Sequence, residues 1–525
     1  MSAPGAVQRP EDRRGFAGHF GSWATATAVV IQGLWLWRMF PHVHLDADLL
    51  AYLSYFRDLR AGEVAGFDYI VPKALPILLF GPLGSPEAAF LLSLAVAAVG
   101  GWLVFELTSE RLGPPVAALA SVAYVLDPMR SILTLRSSAD LLVGVGLLLA
   151  LFALRHRAVV WAGLALLLAA LAKPLALVCG LAILIRTDVG LGRRLIGAAL
   201  PVLALPAAIV VDALVDGRSV LVSLLNLHLP TEHLDFVRVA QAAPGGPLEG
   251  LRSIFVEWFG GLLFARTWPL LGIGLLVYLA GRRGDPQSFG RQMGPTIIDR
   301  RWVGDLELLT VPLLLVAGYL ALSALQPFVL FTRFFWILSV TATILVAAGA
   351  VALAARAPLP AWGRTVLIVL FAIGILADRQ TEFSWRRGLM LDPFETHAEL
   401  AEEAVTVLAR DSRCAGPAAV PQAYLPLAGW RAPEKHRRGE FCAIEDWAVG
   451  RGCASARCVV AMPAAPTTAR ARVLSARLLA QAWPRLVSSP EGGLVHAGDP
   501  VGEGAGGSGR PVAEVSFGRG EGAPS

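Results

Sequence analysis

The segment after the first apolar stretch concentrates residues that could take part in chemistry. Asp46 and Asp48 follow that stretch directly, Tyr52 comes four residues after Asp48, and Lys73 precedes the next apolar run. Charged side chains at a membrane face are expensive to bury and therefore usually mark function. A carboxylate in such a loop can act as a base toward a hydroxyl group. The alternative is that these acidic residues simply flank a membrane span on its outer side.

A second set of charged residues lies at the ends of later apolar stretches. Asp140 opens one stretch, Lys173 separates two short ones, Arg333 precedes another, and Arg136 lies four residues before Asp140. Arginine can pair with a phosphate in bidentate fashion, whereas lysine acts as a point charge. Structural alternatives stay open, because Lys173 could snorkel at a helix break and Arg136 could pair with Asp127 or Asp140.

The elements that must position these residues are membrane helices. Of the 525 residues, 55% are hydrophobic and 16% are charged, whereas a soluble domain carries roughly 25% charged residues. A membrane span needs roughly 20 apolar residues. About eleven predicted spans lie near 22–40, 87–107, 114–126, 139–154, 158–172, 174–186, 195–213, 262–280, 306–325, 334–355 and 364–377.

The distribution of arginine predicts the orientation of these helices. With the N-terminus in the cytoplasm, the short inside connections, such as 155–157 and 186–194, are rich in arginine, as the positive-inside rule requires. The arginines that contribute to the net charge of +5 therefore set the topology of the chain. We expect no nucleic-acid partner. The first outside connection repeats leucine at helical spacing, which predicts a helix along the membrane face. The sequence thus predicts a multi-pass cell (inner) membrane protein with an extracytoplasmic C-terminal region.

The chain divides into four parts by composition. A cytoplasmic tail (1–21) precedes the membrane domain (22–377), and a small α/β domain (378–497) follows it outside. The last part (498–525) is Gly-rich and is expected to be disordered.

Cysteines and histidines raise the question of a metal site. Four cysteines in the outer domain favour two disulfides, with zinc binding as the alternative; they are Cys414, Cys442, Cys453 and Cys458. In the first loop His42, His44, Asp46 and Asp48 alternate and would share one face of a strand. We expect a helix to begin at Asp48 instead, which would break the alternation, so no metal site is predicted.

The ordered motifs resemble the GT-C superfamily of membrane glycosyltransferases. The most similar groups are the protein O-mannosyltransferases, the lipid A aminoarabinose transferase and the lipopolysaccharide-core sugar transferases. In these proteins an Asp-Glu opens the first outer loop, a Tyr follows, a Gly closes an interfacial helix, and a Lys-Pro-Pro-like element precedes the next span. The matching residues are Asp48, Tyr52, Gly62 and Lys73, with Leu49 in place of the Glu. Weaker matches at outer ends of spans are Ser137–Asp140, Leu171–Pro174 and Thr332–Phe335.

The resemblance implies a GT-C-like fold and an inverting sugar transfer at the outer membrane face. The donor would be a polyprenyl-phosphate-linked sugar, the acceptor a glycan, lipid or protein, and no cofactor would be needed. The implied catalytic residues are Asp48, Asp46 and Asp140, the donor-phosphate ligands are Lys73, Arg333, Arg136 and Lys173, and the substrate-binding residue is Tyr52. Membrane lipids would be the other partners. The alternatives are a transporter or flippase for a lipid-linked saccharide, and a polysaccharide polymerase or ligase.

Overall fold

The structure of the protein is a computed structural model. The described residues are 17–61, 74–186, 188–207, 209–210, 357–387, 416–420, 425–438, 440–443, 458–461, 493–498 and 512–516, with isolated positions between 310 and 408.

Most of the described residues form a helical bundle with two distinct ends. Its helices are α1 (Ala17–Met39), α2 (Ala47–Ala61), α3 (Ala74–Phe80), α4 (Pro86–Leu112), α5 (Pro114–Val125), α6 (Pro128–Leu135), α7 (Ala139–Arg155), α8 (Val159–Ala172), α9 (Leu181–Leu184), α10 (Leu191–Ala199) and α11 (Ala361–Arg386). Short 3-10 helices lie at Gly81–Leu83, Pro174–Gly180 and Leu200–Leu203. We call the end with the α1–α2 turn the upper end, and the end with the α4–α5 turn the lower end.

Proline, glycine and capping side chains set the limits of these helices. The Ser85 hydroxyl accepts a hydrogen bond from the backbone N–H of Ala88 at 3.2 Å, and Pro86 takes the first helical position of α4. Gly113 ends α4 with a φ of +87°, which favours glycine, and Pro114 begins α5 directly after it. The chain therefore reverses sharply at the lower end, and α5 packs back against α4.

The bundle has the character of a membrane protein. Pro86–Ser109 in α4 and Ala361–Ser384 in α11 are long and apolar enough to cross a membrane. The pair α5 and α6, bent by 49°, would make a third span if it is one broken helix. The predicted α-helical membrane class is confirmed. The number of eleven spans stays a prediction, because span 262–280 lies outside the described residues.

At two places the helices extend beyond the predicted spans. The gap between the predicted spans 114–126 and 139–154 contains α6 at Pro128–Leu135, and all eight of its residues are buried. The physical reason is that Asp127 and Pro128 begin a helix there, so the break lies inside the bundle. Helix α11 continues to Arg386, past the predicted start of the outer domain at 378, and the limits of that domain stay a prediction.

The amphipathic helix predicted for the first loop is present as α2. Leu49, Leu50, Tyr52 and Leu53 are fully or almost fully buried. They occupy neighbouring turns of one helix and place α2 against the upper end of the bundle.

The C-terminal residues include a five-stranded sheet. Its strands are β1 (Ala418–Val420), β2 (Phe441–Ala443), β3 (Cys458–Ala461), β4 (Gly493–Gly498) and β5 (Val512–Ser516), and the helices α12 (Leu425–Arg431) and α13 (Pro433–Arg437) lie between β1 and β2. The order is β2-β1-β3-β4-β5; all neighbours are parallel except β4 and β5. Strand β5 falls within 498–525, the range expected to be disordered, and its two valines are residues that strands favour.

The C-terminal elements pack directly on α2. Leu50 of α2 belongs to one buried cluster with Val405 and Leu427. The Arg57 guanidinium lies 5.8 Å from the centre of the Trp430 ring, in a cation–π contact. The first loop and the C-terminal region therefore meet at the upper end of the bundle.

Cysteine pairing supports the disulfide alternative over the zinc alternative for one residue. Cys442 of β2 is disulfide-bonded, whereas Cys179 in the bundle is free and buried. The pairing of the other tail cysteines stays a prediction, because Cys414 and Cys453 lie outside the described residues.

Candidate active site

Asp46 joins the first loop to the α6–α7 turn. Its backbone carbonyl accepts a hydrogen bond from the N–H of Leu50 at 2.9 Å, and its Oδ1 accepts one from the N–H of Asp48 at 3.0 Å. Asp46 is therefore the N-cap of α2. Its Oδ2 accepts a hydrogen bond from Nε of Arg136 at 2.6 Å and also contacts Nη2 of the same guanidinium. Both carboxylate oxygens of Asp46 are thus engaged.

Asp140 forms a second buried ion pair close by. Nζ of Lys173 lies 2.5 Å from its Oδ1, and the Ser138 hydroxyl donates to its Oδ2 at 3.3 Å. Ser138 is also the N-cap of α7 and accepts a hydrogen bond from the backbone N–H of Asp140. Lys173 has an extended backbone at the end of α8, where Pro174 prevents the helix from continuing.

The two ion pairs share one turn of the chain. Arg136 caps the end of α6, and Asp140 lies in the first turn of α7. Four residues of chain reach at most roughly 14 Å, so the pairs are neighbours at the upper end.

In each pair the cation is more exposed than the carboxylate. The Arg136 and Lys173 side chains are 19% and 13% exposed, whereas those of Asp46 and Asp140 are 3% and 5% exposed. Each buried carboxylate is compensated by its cation, as burial of a charge requires. The positions of two partly exposed cations are therefore fixed by buried carboxylates.

Asp48 and Tyr52 lie on α2, which packs at the same end of the bundle as the two ion pairs. Asp48 is half-buried in the first turn of the helix, and Tyr52 is fully buried one turn later. Unlike Asp46, Asp48 is not needed to cap α2. Lys73 and Arg333, the other predicted phosphate ligands, lie outside the described residues.

The two histidines of the first loop contact carboxylates from distant parts of the chain. Nδ1 of His42 lies 2.6 Å from Oε1 of Glu395, whose carboxylate also accepts the backbone N–H of His42. Nε2 of His44 lies 3.4 Å from Oε1 of Glu87. Burial lowers the pKa of His44. Within the described residues, no three His, Cys, Asp or Glu side chains are grouped so that they could share a metal ion.

A buried charge network that the sequence reasoning missed lies below the site. Nη1 of Arg379 is 2.8 Å from Oε2 of Glu382 and 3.5 Å from Oδ2 of Asp127. The Arg130 side chain is fully buried and donates to the carbonyl of Tyr124 at 3.1 Å. The sequence signal for this network is the charge of Arg379 and Glu382. Both residues lie just beyond the last apolar stretch, in the range assigned to the outer domain.

The fold and the site define a helical membrane protein with two ion pairs at its upper end, where α2 packs against the bundle. No protein-family model matches the chain, and a comparison with curated proteins finds no match. Two similar solved structures are of ArnT from Cupriavidus metallidurans. The one bound to undecaprenyl phosphate has 14% sequence identity and a TM-score of 0.47, and the alignment covers 89% of this chain and 92% of that chain. The one in the apo state has 15% identity and a TM-score of 0.44, covering 90% and 93%.

ArnT is a lipid A aminoarabinose transferase of GT-C type.

Proposed function

We propose that the protein is an inverting glycosyltransferase of the cytoplasmic membrane. It would move a sugar from a polyprenyl-phosphate donor to a hydroxyl acceptor at the outer face. The observation that carries the proposal is the pair of partly exposed cations, Arg136 and Lys173, each fixed by a buried carboxylate at the same end of the bundle.

The cations suit the departure of a lipid phosphate. In the transfer, the bond between the anomeric carbon and the phosphate oxygen breaks, and its electron pair leaves on the phosphate. Negative charge therefore grows on that group as the reaction proceeds. Positive groups that are already in place stabilise such charge without reorganisation. Arg136 and Lys173 would meet this need, with Lys73 and Arg333 as the further predicted ligands.

Asp48 is our candidate for the base. The acceptor oxygen forms the new bond to the anomeric carbon and loses its proton, which a carboxylate can accept. Both oxygens of Asp46 are engaged with α2 and Arg136, and those of Asp140 with Lys173 and Ser138. We therefore assign Asp46 and Asp140 to the positioning of the cations. The base role goes to Asp48 because it opens the loop motif that resembles the GT-C pattern and is half-buried in the first turn of α2, next to Asp46.

The arginines at the lower end of the bundle support a site on the outer face of the membrane. Arg155 donates from Nη1 to the carbonyl of Leu107 at 3.0 Å near the end of α4. Arg186 donates to both oxygens of Asp188 at 2.8 Å. Because arginine-rich connections stay in the cytoplasm, the opposite end, which contains the ion pairs, would lie outside.

The products of the reaction test this proposal. Purified protein in lipid nanodiscs would receive the polyprenyl-phosphate sugars that accumulate in cells lacking it, together with an envelope extract as acceptor. Mass spectrometry should show free undecaprenyl phosphate and a glycosylated acceptor. Asp48→Asn should give neither product. The control Arg364→Gln, which changes an arginine at the lower end of the bundle, should match the wild type.

Other products would identify the alternatives. Release of undecaprenyl diphosphate would favour a polymerase or ligase. If a labelled polyprenyl-phosphate sugar crosses a liposome bilayer intact and no undecaprenyl phosphate is released, the protein is a flippase and the proposal is wrong.

A further inference from the structure

The break between α5 and α6 has an ionisable residue at its centre. The two helices meet at an angle of 49°, and Asp127 lies between them. Its Oδ1 accepts a hydrogen bond from the backbone N–H of Arg130 at 2.7 Å, which caps α6. A buried carboxylate inside a membrane bundle is costly unless it is paired.

Arg379 of α11 pairs with this carboxylate and with two further groups. Its Nη1 lies 3.5 Å from Asp127 and 2.8 Å from Glu382, and its Nη2 donates to the Thr343 hydroxyl at 2.7 Å. The side chain is 3% exposed. Arg379 therefore joins α11, the start of α6 and the helical segment of Thr343 in one contact set.

Helix α6 transmits the position of Asp127 to the candidate active site. It has eight residues, all buried, and its C-cap is Arg136, the partner of Asp46. A short buried helix with a fixed start also has a fixed end, because packed elements shift as units.

The segment of Thr343 also contacts the start of α7. The indole N–H of Trp336 donates to the backbone carbonyl of Asp140 at 3.0 Å. A Cβ at Gly144 would collide with the same ring. The contacts of Arg379 therefore extend to Arg136 through α6 and to Asp140 through Trp336. These are the two residues of the α6–α7 turn that form ion pairs.

We propose that Arg379 is a positioning residue that fixes α6 through Asp127, so that Arg136 meets Asp46 and faces the donor phosphate. The structural part of this inference stands on the contacts above, and its catalytic consequence rests on the proposed function. Of the two ion pairs, the test follows that of Arg136, because Asp127 begins α6 and Arg136 ends it.

A double-substitution cycle tests the catalytic consequence. The affinity for undecaprenyl phosphate would be measured by calorimetry on folded, monodisperse protein. Arg379→Met should weaken binding about tenfold in the wild type, but by less than about twofold when Arg136→Gln is already present, because coupled residues are not additive. Arg364→Met on the same helix is the matched control and should leave the affinity unchanged. Equal losses with and without Arg136 would overturn the proposal, because they would make Arg379 a general stabiliser.

A second measurement does not depend on the proposed function. Thr134→Cys places a thiol on the buried face of α6, where Thr134 is 1% exposed. Labelling of that peptide by a methanethiosulfonate reagent, followed by mass spectrometry, reports the opening of α6. Arg379→Met should speed the labelling about tenfold relative to Arg364→Met. Equal labelling rates would overturn the positioning role even if the protein transfers sugar.

Loss of folding is covered by a third variant. Asp127→Asn, Arg379→Gln and Glu382→Gln together remove all three charges of the network and keep an N-cap residue at 127. This triple variant should fold and still label faster at Thr134→Cys. If wild-type protein binds undecaprenyl phosphate but transfers nothing, the proposed function fails, while the labelling still decides the role of Arg379. Slow labelling in the triple variant would contradict that role.

Discussion

Replacing Arg136 with glutamine tests whether the partly exposed cations bind the donor phosphate. Glutamine keeps a polar, shorter side chain and removes the charge and the bidentate geometry. A charge-assisted hydrogen bond contributes roughly 1.5–3 kcal/mol, and about 1.4 kcal/mol corresponds to a factor of ten in affinity. Arg136→Gln should therefore weaken the binding of undecaprenyl phosphate about ten- to a hundredfold.

The same substitution also affects stability, and the two effects must be separated. Arg136 is the ion-pair partner of Asp46, whose side chain is 3% exposed. Removing one partner of a buried pair costs roughly 3–5 kcal/mol of folding free energy, because the other charge stays buried and unpaired. The double variant Asp46→Asn with Arg136→Gln leaves no unpaired charge, and asparagine can still cap α2.

The assay compares stability and affinity in the same three proteins. Thermal unfolding in detergent should show Arg136→Gln destabilised and the double variant largely restored. Calorimetric titration with undecaprenyl phosphate should show both variants weakened, because both lack the guanidinium. Arg364→Gln at the lower end should resemble the wild type in both measurements.

One outcome would refute the reasoning. If the double variant regains wild-type affinity together with stability, Arg136 serves only to compensate Asp46, and the phosphate site lies elsewhere. Wild-type affinity in Arg136→Gln itself would lead to the same conclusion.

The remaining predictions concern the base, the other phosphate ligands, acid stability and the disulfide. Asp48→Asn should abolish transfer and leave the affinity for undecaprenyl phosphate within about twofold; an active variant would remove Asp48 from the mechanism. Lys73→Ala and Arg333→Ala should each raise the donor KM about ten- to a hundredfold, and an unchanged KM in both would exclude them as donor ligands. Burial lowers the pKa of His44, so on acidification the unfolded chain takes up the proton first, near its ordinary pKa of about 6.5. The unfolding temperature should therefore fall as the pH drops below that value, and His44→Gln should flatten the dependence; an equal slope in both proteins would contradict it. A membrane-impermeant thiol reagent added to intact cells should label Cys442 only after reduction, and labelling without reductant would contradict the disulfide.

Local patterns in the sequence predicted two of the elements near the site. The leucine spacing after Asp48 predicted α2, because an amphipathic helix is specified by residues close together in sequence. The Lys173-Pro174 step predicted the break after α8, because proline cannot continue a helix. The small α/β domain at 378–497 stays a prediction.

The pairing of the charges could not be predicted, because it depends on tertiary packing. One alternative paired Arg136 with Asp127 or Asp140, both of which are closer in sequence, yet it pairs with Asp46, 90 residues away. Asp140 pairs instead with Lys173. The contact between His42 and Glu395 joins residues separated by 353 positions, and no short-range pattern contains that information.

The arrangement of the ion pairs suits a reaction in which charge appears late. A polyprenyl-phosphate sugar is a diester with one negative charge, and the released lipid phosphate can carry two. Cations that are compensated by Asp46 and Asp140 bind the singly charged donor less strongly than unpaired cations would. Their attraction grows as charge develops on the leaving oxygen, which is the differential binding that lowers a barrier. Under the proposed function, the buried carboxylates would do more than fix geometry, because they would limit how strongly the site retains its doubly charged product.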